Sequence, residues 1–135
     1  MYLLDTNVVS ELRKVRPHGA VLAWIQDVPE GALWMAAVTL GELQAGAEIT
    51  RKQDAAKAAA IEAWIDQLAA AYEVIAMDAA MFREWARLMA GKSDALLEDA
   101  MIAATARVRG LVVVTRNVRD FKMFPVDVLN PFTAA

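Results

Sequence analysis

Gly110-Leu111-Val112-Val113-Val114-Thr115-Arg116-Asn117 is a glycine stop, an unbroken apolar run and a polar edge in eight residues. Glycine fits the position just past a helix end, where the backbone turns left-handed. The run Leu111-Val112-Val113-Val114 does not alternate with polar residues, so it reads as a strand covered on both faces, the pattern of a parallel sheet. A second such run, Tyr2-Leu3-Leu4, stands near the start of the chain and is followed at once by Asp5-Thr6-Asn7. Between the two, strand and helix patterns alternate. The spacing predicts strand 2–5, helix 7–14, a helix over 17–27 with Pro17 in its first turn, and strand 33–37. Helices 40–50 and 54–71, strand 73–77, helices 79–90 and 94–109, strand 111–115, a polar loop and a short strand 126–128 follow. Ile61, Trp64, Ile65 and Leu68 recur at intervals of three and four within the alanine-rich stretch Ala55 to Ala71, which is helical spacing. The expected fold class is α/β, with helices on both faces of a mostly parallel sheet.

The 135 residues are read as one domain, 1–135, against a prior of ~150 residues per domain. There is no cysteine, which excludes disulfides, thiol nucleophiles and cysteine-ligated zinc or iron–sulfur centres and fits a reducing compartment. No basic, apolar or cleavable leader pattern opens the chain, and the apolar stretch from Leu68 to Met77 is interrupted by Glu73 and too short to span a bilayer. A soluble, cytoplasmic protein is expected. With 17 acids against 14 bases the net charge is −3, not the footprint of a protein that holds nucleic acid by bulk attraction. Arg13, Lys14 and Arg16, Arg51 and Lys52, and Arg116, Arg119 and Lys122 nevertheless form local clusters. These either solubilise the chain or meet a phosphate backbone, since cations bound by the acids would invert the sign of a cleft locally.

Open α/β sheets place their ligands beyond the carboxyl ends of the strands. Asp5 stands there. Asp-Thr-Asn is also good helix-capping chemistry, so Asp5 is either a cap or a ligand. Glu42 follows strand 33–37, but Thr39-Leu40-Gly41-Glu42 matches a capping box, which would occupy the carboxylate locally. Asp99 is harder to assign to the surface. At helical spacing its neighbours are Ala95, Leu96, Ile102, Ala103 and Ala106, while Glu98 falls on the flank with Thr105 and Arg109. A carboxylate within an apolar stripe needs a partner, either a structural base or a cation. After the late strand come Thr115, Asn117 and Asp120, ordinary turn residues or a fourth set of oxygen donors. Converging carboxylates suit hard divalent cations such as Mg²⁺.

Some constellations fail. His18 is the single histidine, so histidine triads and zinc sites lack parts. Gly91-Lys92-Ser93 would need a glycine at Ala86 and a preceding strand to be a phosphate loop. The tryptophans on helical stripes, Trp24, Trp64 and Trp85, read mostly as core, with any exposed face open to a partner.

Four segments in order, Leu4-Asp5-Thr6-Asn7-Val8-Val9-Ser10-Glu11, Ala37-Val38-Thr39-Leu40-Gly41-Glu42-Leu43, Asp99-Ala100-Met101-Ile102-Ala103-Ala104-Thr105-Ala106 and Val114-Thr115-Arg116-Asn117-Val118-Arg119-Asp120-Phe121, resemble a PIN-domain ribonuclease. More narrowly, they are similar to the VapC toxins, FitB-like in type, of bacterial toxin–antitoxin pairs. The resemblance implies a PIN-like three-layer α/β/α domain on a five-stranded sheet, and RNA cleavage dependent on Mg²⁺ or Mn²⁺. It also implies a homodimer, a VapB-type antitoxin, and operator DNA bound only through that antitoxin. The family's acidic site falls on Asp5, Glu42 and Asp99, with Asp5 and Asp99 as metal ligands and Glu42 reaching the metal directly or through water. The fourth acidic place falls on Asn117 or Asp120. Thr6, Asn7, Thr115, Arg116 and Arg119 are the expected substrate contacts. Two rivals are a haloacid-dehalogenase-like phosphatase, which wants a second aspartate where Asn7 stands, and a non-catalytic RNA- or protein-binding module on the same fold.

Overall fold

The computed structural model describes residues 1–29 and 31–133. Five short strands, β1 (Tyr2–Leu4), β2 (Leu33–Ala36), β3 (Glu73–Ile75), β4 (Val112–Val114) and β5 (Val128–Leu129), form one sheet in the order β3-β2-β1-β4-β5. Every pairing is parallel, stricter than the mostly parallel sheet expected. Successive strand residues point to opposite faces, and two cores follow from that. Leu3, Ala36, Ile75 and Val113 pack against α5 (Ala79–Met89), α6 (Leu97–Arg109) and α7 (Val118–Phe121). Their neighbours Leu4, Met35 and Val114 pack on the other face against α1 (Thr6–Glu11), α2 (Gly19–Asp27) and α4 (Ala55–Ala71). Helix α3 (Ala37–Arg51) packs antiparallel to α4 through Ala47, Ile61 and Ile65. This is the three-layer α/β/α arrangement. No helix among the described residues is long and apolar enough to cross a membrane.

Most helices start and stop where local chemistry directs. Asp54 accepts from the Lys57 amide (3.0 Å) and Asp78 from the Met81 amide (2.9 Å), each satisfying an orphan donor of the helix it opens. Gly110 ends α6 at φ 68°, the left-handed turn that glycine adopts without strain.

Several expected boundaries moved, among them the end of strand 73–77, which closes at Ile75, and the start of helix 94–109, whose first three residues wind as a 3-10 turn before α6 begins at Leu97. α1 ends at Glu11 rather than 14, because the backbone tightens to three-residue hydrogen bonds and the buried Glu11 carboxylate accepts from the His18 amide at 2.9 Å, drawing the chain round. His18 then caps α2 through Nδ1, so that helix begins at Gly19, beyond Pro17. α3 begins at Ala37, directly off β2 with no loop. The last strand begins two residues late, at Val128, after a turn in which Val126 donates to the Phe124 carbonyl. The segment 118–121, expected as loop, winds into α7.

The strand order places the site. The chain runs from β1 outward to β2 and β3, then returns past β1 to β4 and β5. The order therefore reverses between β1 and β4, and doubly wound sheets open their ligand crevice at such a switch point. Leu4 pairs with Val114, so the next residues on the two strands, Asp5 and Thr115, face each other at that crevice.

Candidate active site

Asp5 is 5% exposed and tightly held. Oδ1 accepts from the Thr6 amide at 2.8 Å; Oδ2 accepts from the Thr115 hydroxyl at 2.7 Å and from Asn7 Nδ2 at 3.2 Å. Asn7 reaches across the switch point as well, donating to Thr115 Oγ1 (3.2 Å) and accepting from the Arg116 amide (3.1 Å). Asp5 is thus a cap, beginning α1 through the Thr6 amide, and capping still leaves it at the crevice. Burial raises its pKa against the lowering effect of the Thr115 and Thr6 bonds.

The capping-box reading of Thr39 to Glu42 is overturned. Thr39 sits inside α3, fully buried, with its hydroxyl unpartnered, and the helix start has no side-chain cap. Glu42 is therefore free of local duty and accepts from Thr6 Oγ1 at 3.1 Å across the crevice. Burial pushes its pKa up to about 7; the Thr6 bond opposes this, and the negative fields of Asp5, Glu98 and Asp99 add to it.

Asp99 lies in the first turn of α6, with the acid end at a favourable helix start. It is only half-buried, above the fully buried Ile102 and Ala103, so the apolar-stripe reading overstated its depth. Its pKa rises to about 6, first through burial and then through the fields of Asp5, Asp120 and Glu98. Glu98 is exposed as expected but acts on both neighbouring acids. Thr105, placed with it on the flank, is instead fully buried and donates to the Met101 carbonyl at 2.9 Å.

At the β4 end, Asn117 donates its amide hydrogen to Thr115 Oγ1 (2.9 Å) and its side-chain amide to Asp120 Oδ2 (2.8 Å). One turn of α7 thus points an acid at the crevice and fixes it with the asparagine before it. None of the ion pairs among the described residues involves Asp5, Glu42, Asp99 or Asp120. Nor are any three carboxylates of the described residues gathered into a ready-made cation cage. The donor set is all hard oxygen, negative and uncompensated by bases, which fits Mg²⁺ or Mn²⁺.

The expected basic contacts divide. Arg51 is engaged by Glu48 and Glu62, and Lys14 by Glu11. Arg116 is exposed and stacks over Phe132 at 4.6 Å, beside the crevice through its own amide. Arg119, Arg13 and Arg16 are exposed. His18 is an exposed cap, not a ligand. Glu11, the buried anchor of the loop carrying Arg13 to Arg16, went unnoticed in the sequence because an acid near a helix end normally lies in water.

A family model described as PIN domain matches residues 2–125. The chain belongs to the PIN domain family. Among curated relatives, the VapC ribonuclease Y4jK of Sinorhizobium fredii is 35% identical over 146 residues, covering 100% of both chains. Toxin FitB of Neisseria gonorrhoeae is 30% identical, with 98% of this chain and 99% of that protein covered. The solved structure of FitAcB from Neisseria gonorrhoeae superposes with a TM-score of 0.86 at 28% identity, covering 99% of this PIN domain and 100% of that chain. The phosphatase reading ends here: Asn7, at the position needing a second aspartate, is bonded into the switch-point network as an amide.

Proposed function

We propose that this PIN domain is the ribonuclease toxin of a VapBC-type toxin–antitoxin pair, an endonuclease that hydrolyses RNA phosphodiester bonds with Mg²⁺ or Mn²⁺. The observation that carries the reading is the uncompensated carboxylate set at the switch point: Asp5, Glu42 and Asp99, each with its pKa raised. Perturbed acids in one crevice mark functional sites. Asp5 and Asp99 would hold the cation, and Glu42 would complete its shell directly or through water. Bound there, a divalent cation supplies water activation and stabilisation of charge on the phosphoryl oxygens.

The chain's own residues divide the remaining work. Glu42 Oε1 is held by Thr6, which leaves Oε2 to take the proton of the attacking water, and its pKa near 7 suits that transfer at neutral pH. Asp120 supplies the fourth negative charge, and Asn117 is its positioning residue. Asn7 and Thr115 keep Asp5 in one orientation. Arg116 and Arg119 meet the RNA backbone, where each phosphate contact adds to the salt dependence of binding. A homodimer, a VapB-type antitoxin partner, operator DNA reached through that antitoxin, and a cytoplasmic location complete the proposal; the likeness to the VapC ribonuclease Y4jK and Toxin FitB supports the toxin role on which they depend.

The test is cleavage of a labelled structured RNA by antitoxin-free protein, with Mg²⁺, Mn²⁺ or chelator, beside Asp5→Ala and Asp99→Asn. Discrete cuts that need metal and fall at least about a thousandfold in folded Asp99→Asn are expected, since metal-ion catalysis contributes several kcal/mol. Full activity in that variant overturns the assignment of Asp99.

A further inference from the structure

Beside the carboxylates, three helices each present one face to a groove of about 340 Å³. Thr6, Ser10 and Arg13 follow one another at intervals of four and three along α1 and its end. Leu43, Gly46 and Thr50 do so at three and four along α3, and Ile61 and Trp64 at three along α4. Glu42 lines the same groove, so it opens directly from the candidate active site.

The groove's chemistry is mixed in a specific way. Trp64 is only partly buried and offers part of an aromatic surface. Ser10 and Thr50 bring hydroxyls. Arg13 is exposed and makes no ion pair among the described residues, whereas the nearby Arg51 is neutralised by Glu48 and Glu62. Gly46 leaves a gap in the α3 face: a Cβ built there meets nothing within 4 Å. A volume of this order is at the small end of ligand sites, roughly 300–1,000 Å³, too small for a helix or duplex.

We propose that this groove is a nucleotide subsite for the RNA strand next to the scissile phosphate. The base lies against Trp64 over the gap at Gly46, the backbone phosphate meets Arg13, and Ser10 and Thr50 bond the sugar or base edge. Charge complementarity (Arg13 toward a polyanion that an acidic cleft otherwise repels), an aromatic platform and continuity with Glu42 together favour single-stranded RNA as the occupant. The assignment rests on the nuclease reading. It adds selectivity for unpaired RNA, because a base must leave its helix to stack on protein.

Binding of a fluorescein-labelled, random-sequence single-stranded 12-mer RNA, followed by anisotropy in Ca²⁺ at several salt concentrations, tests it. Gly46→Leu is the decisive variant, since leucine favours the helix while filling the gap. It is expected to melt no lower than wild type yet bind about tenfold more weakly. Trp64→Leu should weaken binding by about tenfold with an unchanged salt slope, and Trp64→Phe should restore most of it, as stacking is worth roughly a factor of ten per base. Arg13→Gln should instead reduce the slope of log affinity against log salt by about 0.7, the single-strand value for one phosphate. In wild type, a 5-bromouridine-substituted 12-mer should photo-crosslink to Trp64. Unchanged affinity in folded Gly46→Leu and Trp64→Leu, or crosslinks confined to other residues, overturns the subsite and leaves the nuclease reading standing; the groove then holds something else, such as a protein segment. Failure of wild type to bind any RNA overturns both.

Discussion

The two halves of the acidic crevice are built differently. On the β1–β4 side, Asp5 is buried and accepts from Thr6, Asn7 and Thr115, donors that the strand pairing itself delivers. On the helical side, Glu42 accepts one hydrogen bond and Asp99 none among the described residues, and both are half-exposed, Glu42 on the second turn of α3 and Asp99 on the first turn of α6. One half is a fixed anchor and the other is loosely held, with few hydrogen bonds to fix its acids. On the proposed reading, the anchor would set the position of a cation and the loosely held acids would adjust to its charge.

Substitution separates the halves most sharply. Asp5→Ala and Asp99→Asn should both abolish cleavage, but only the first should also unsettle the fold. Removing Asp5 strands the Thr115 hydroxyl and the Thr6 amide, a loss of about 1–3 kcal/mol in chemical denaturation, whereas Asp99→Asn relieves repulsion and should be neutral or stabilising. Equal destabilisation by both would erase the distinction. Next comes the cation itself. At a Mg²⁺ concentration about 100 times Kd, wild type should gain about 2.7 kcal/mol of stability, read as a rise in Tm, and Asp99→Asn should gain almost nothing.

A smaller effect follows from pH. Glu42 rises from 4.5 to about 7 and Asp99 from 3.8 to about 6 on folding. Between about pH 3.8 and 7 the folded protein therefore binds more protons than the unfolded chain, and stability falls as pH rises through that window. Melts of chelator-treated protein at pH 5 and pH 8 should differ by on the order of 1 kcal/mol per group after solvent screening. Glu42→Gln should flatten the drop; its persistence in a Glu42→Gln, Asp99→Asn double variant would assign the titration to the anchor side. Smallest is Thr6→Val, which frees Glu42 and should lower stability by about 0.5–1.5 kcal/mol at pH 8.

The anchor half was largely legible in the sequence, and the loosely held half only partly. An apolar run ending in Asp5 and another ending in Thr115 state their own geometry, because parallel strands of one sheet must end on the same side. Glu42 was legible as a candidate but assigned the wrong local role. Nothing in Thr39-Leu40-Gly41-Glu42 reveals that β2 passes into α3 without a loop, which moves Thr39 from a helix start into the core. The Asn117–Asp120 contact was hidden for a similar reason: a single helical turn is too short to leave a periodicity. The groove around Trp64 draws on three helices distant in sequence, so each residue looked like core or surface until tertiary packing put them together.

The pairing of Leu4 with Val114 has a consequence in time. Asp5 and the threonine that orients it lie at opposite ends of the chain, so the cut-making centre is among the last things a growing polypeptide can assemble. Until residue 115 has been made, Asp5 lacks the β4 edge and the Thr115 hydroxyl that hold it in place.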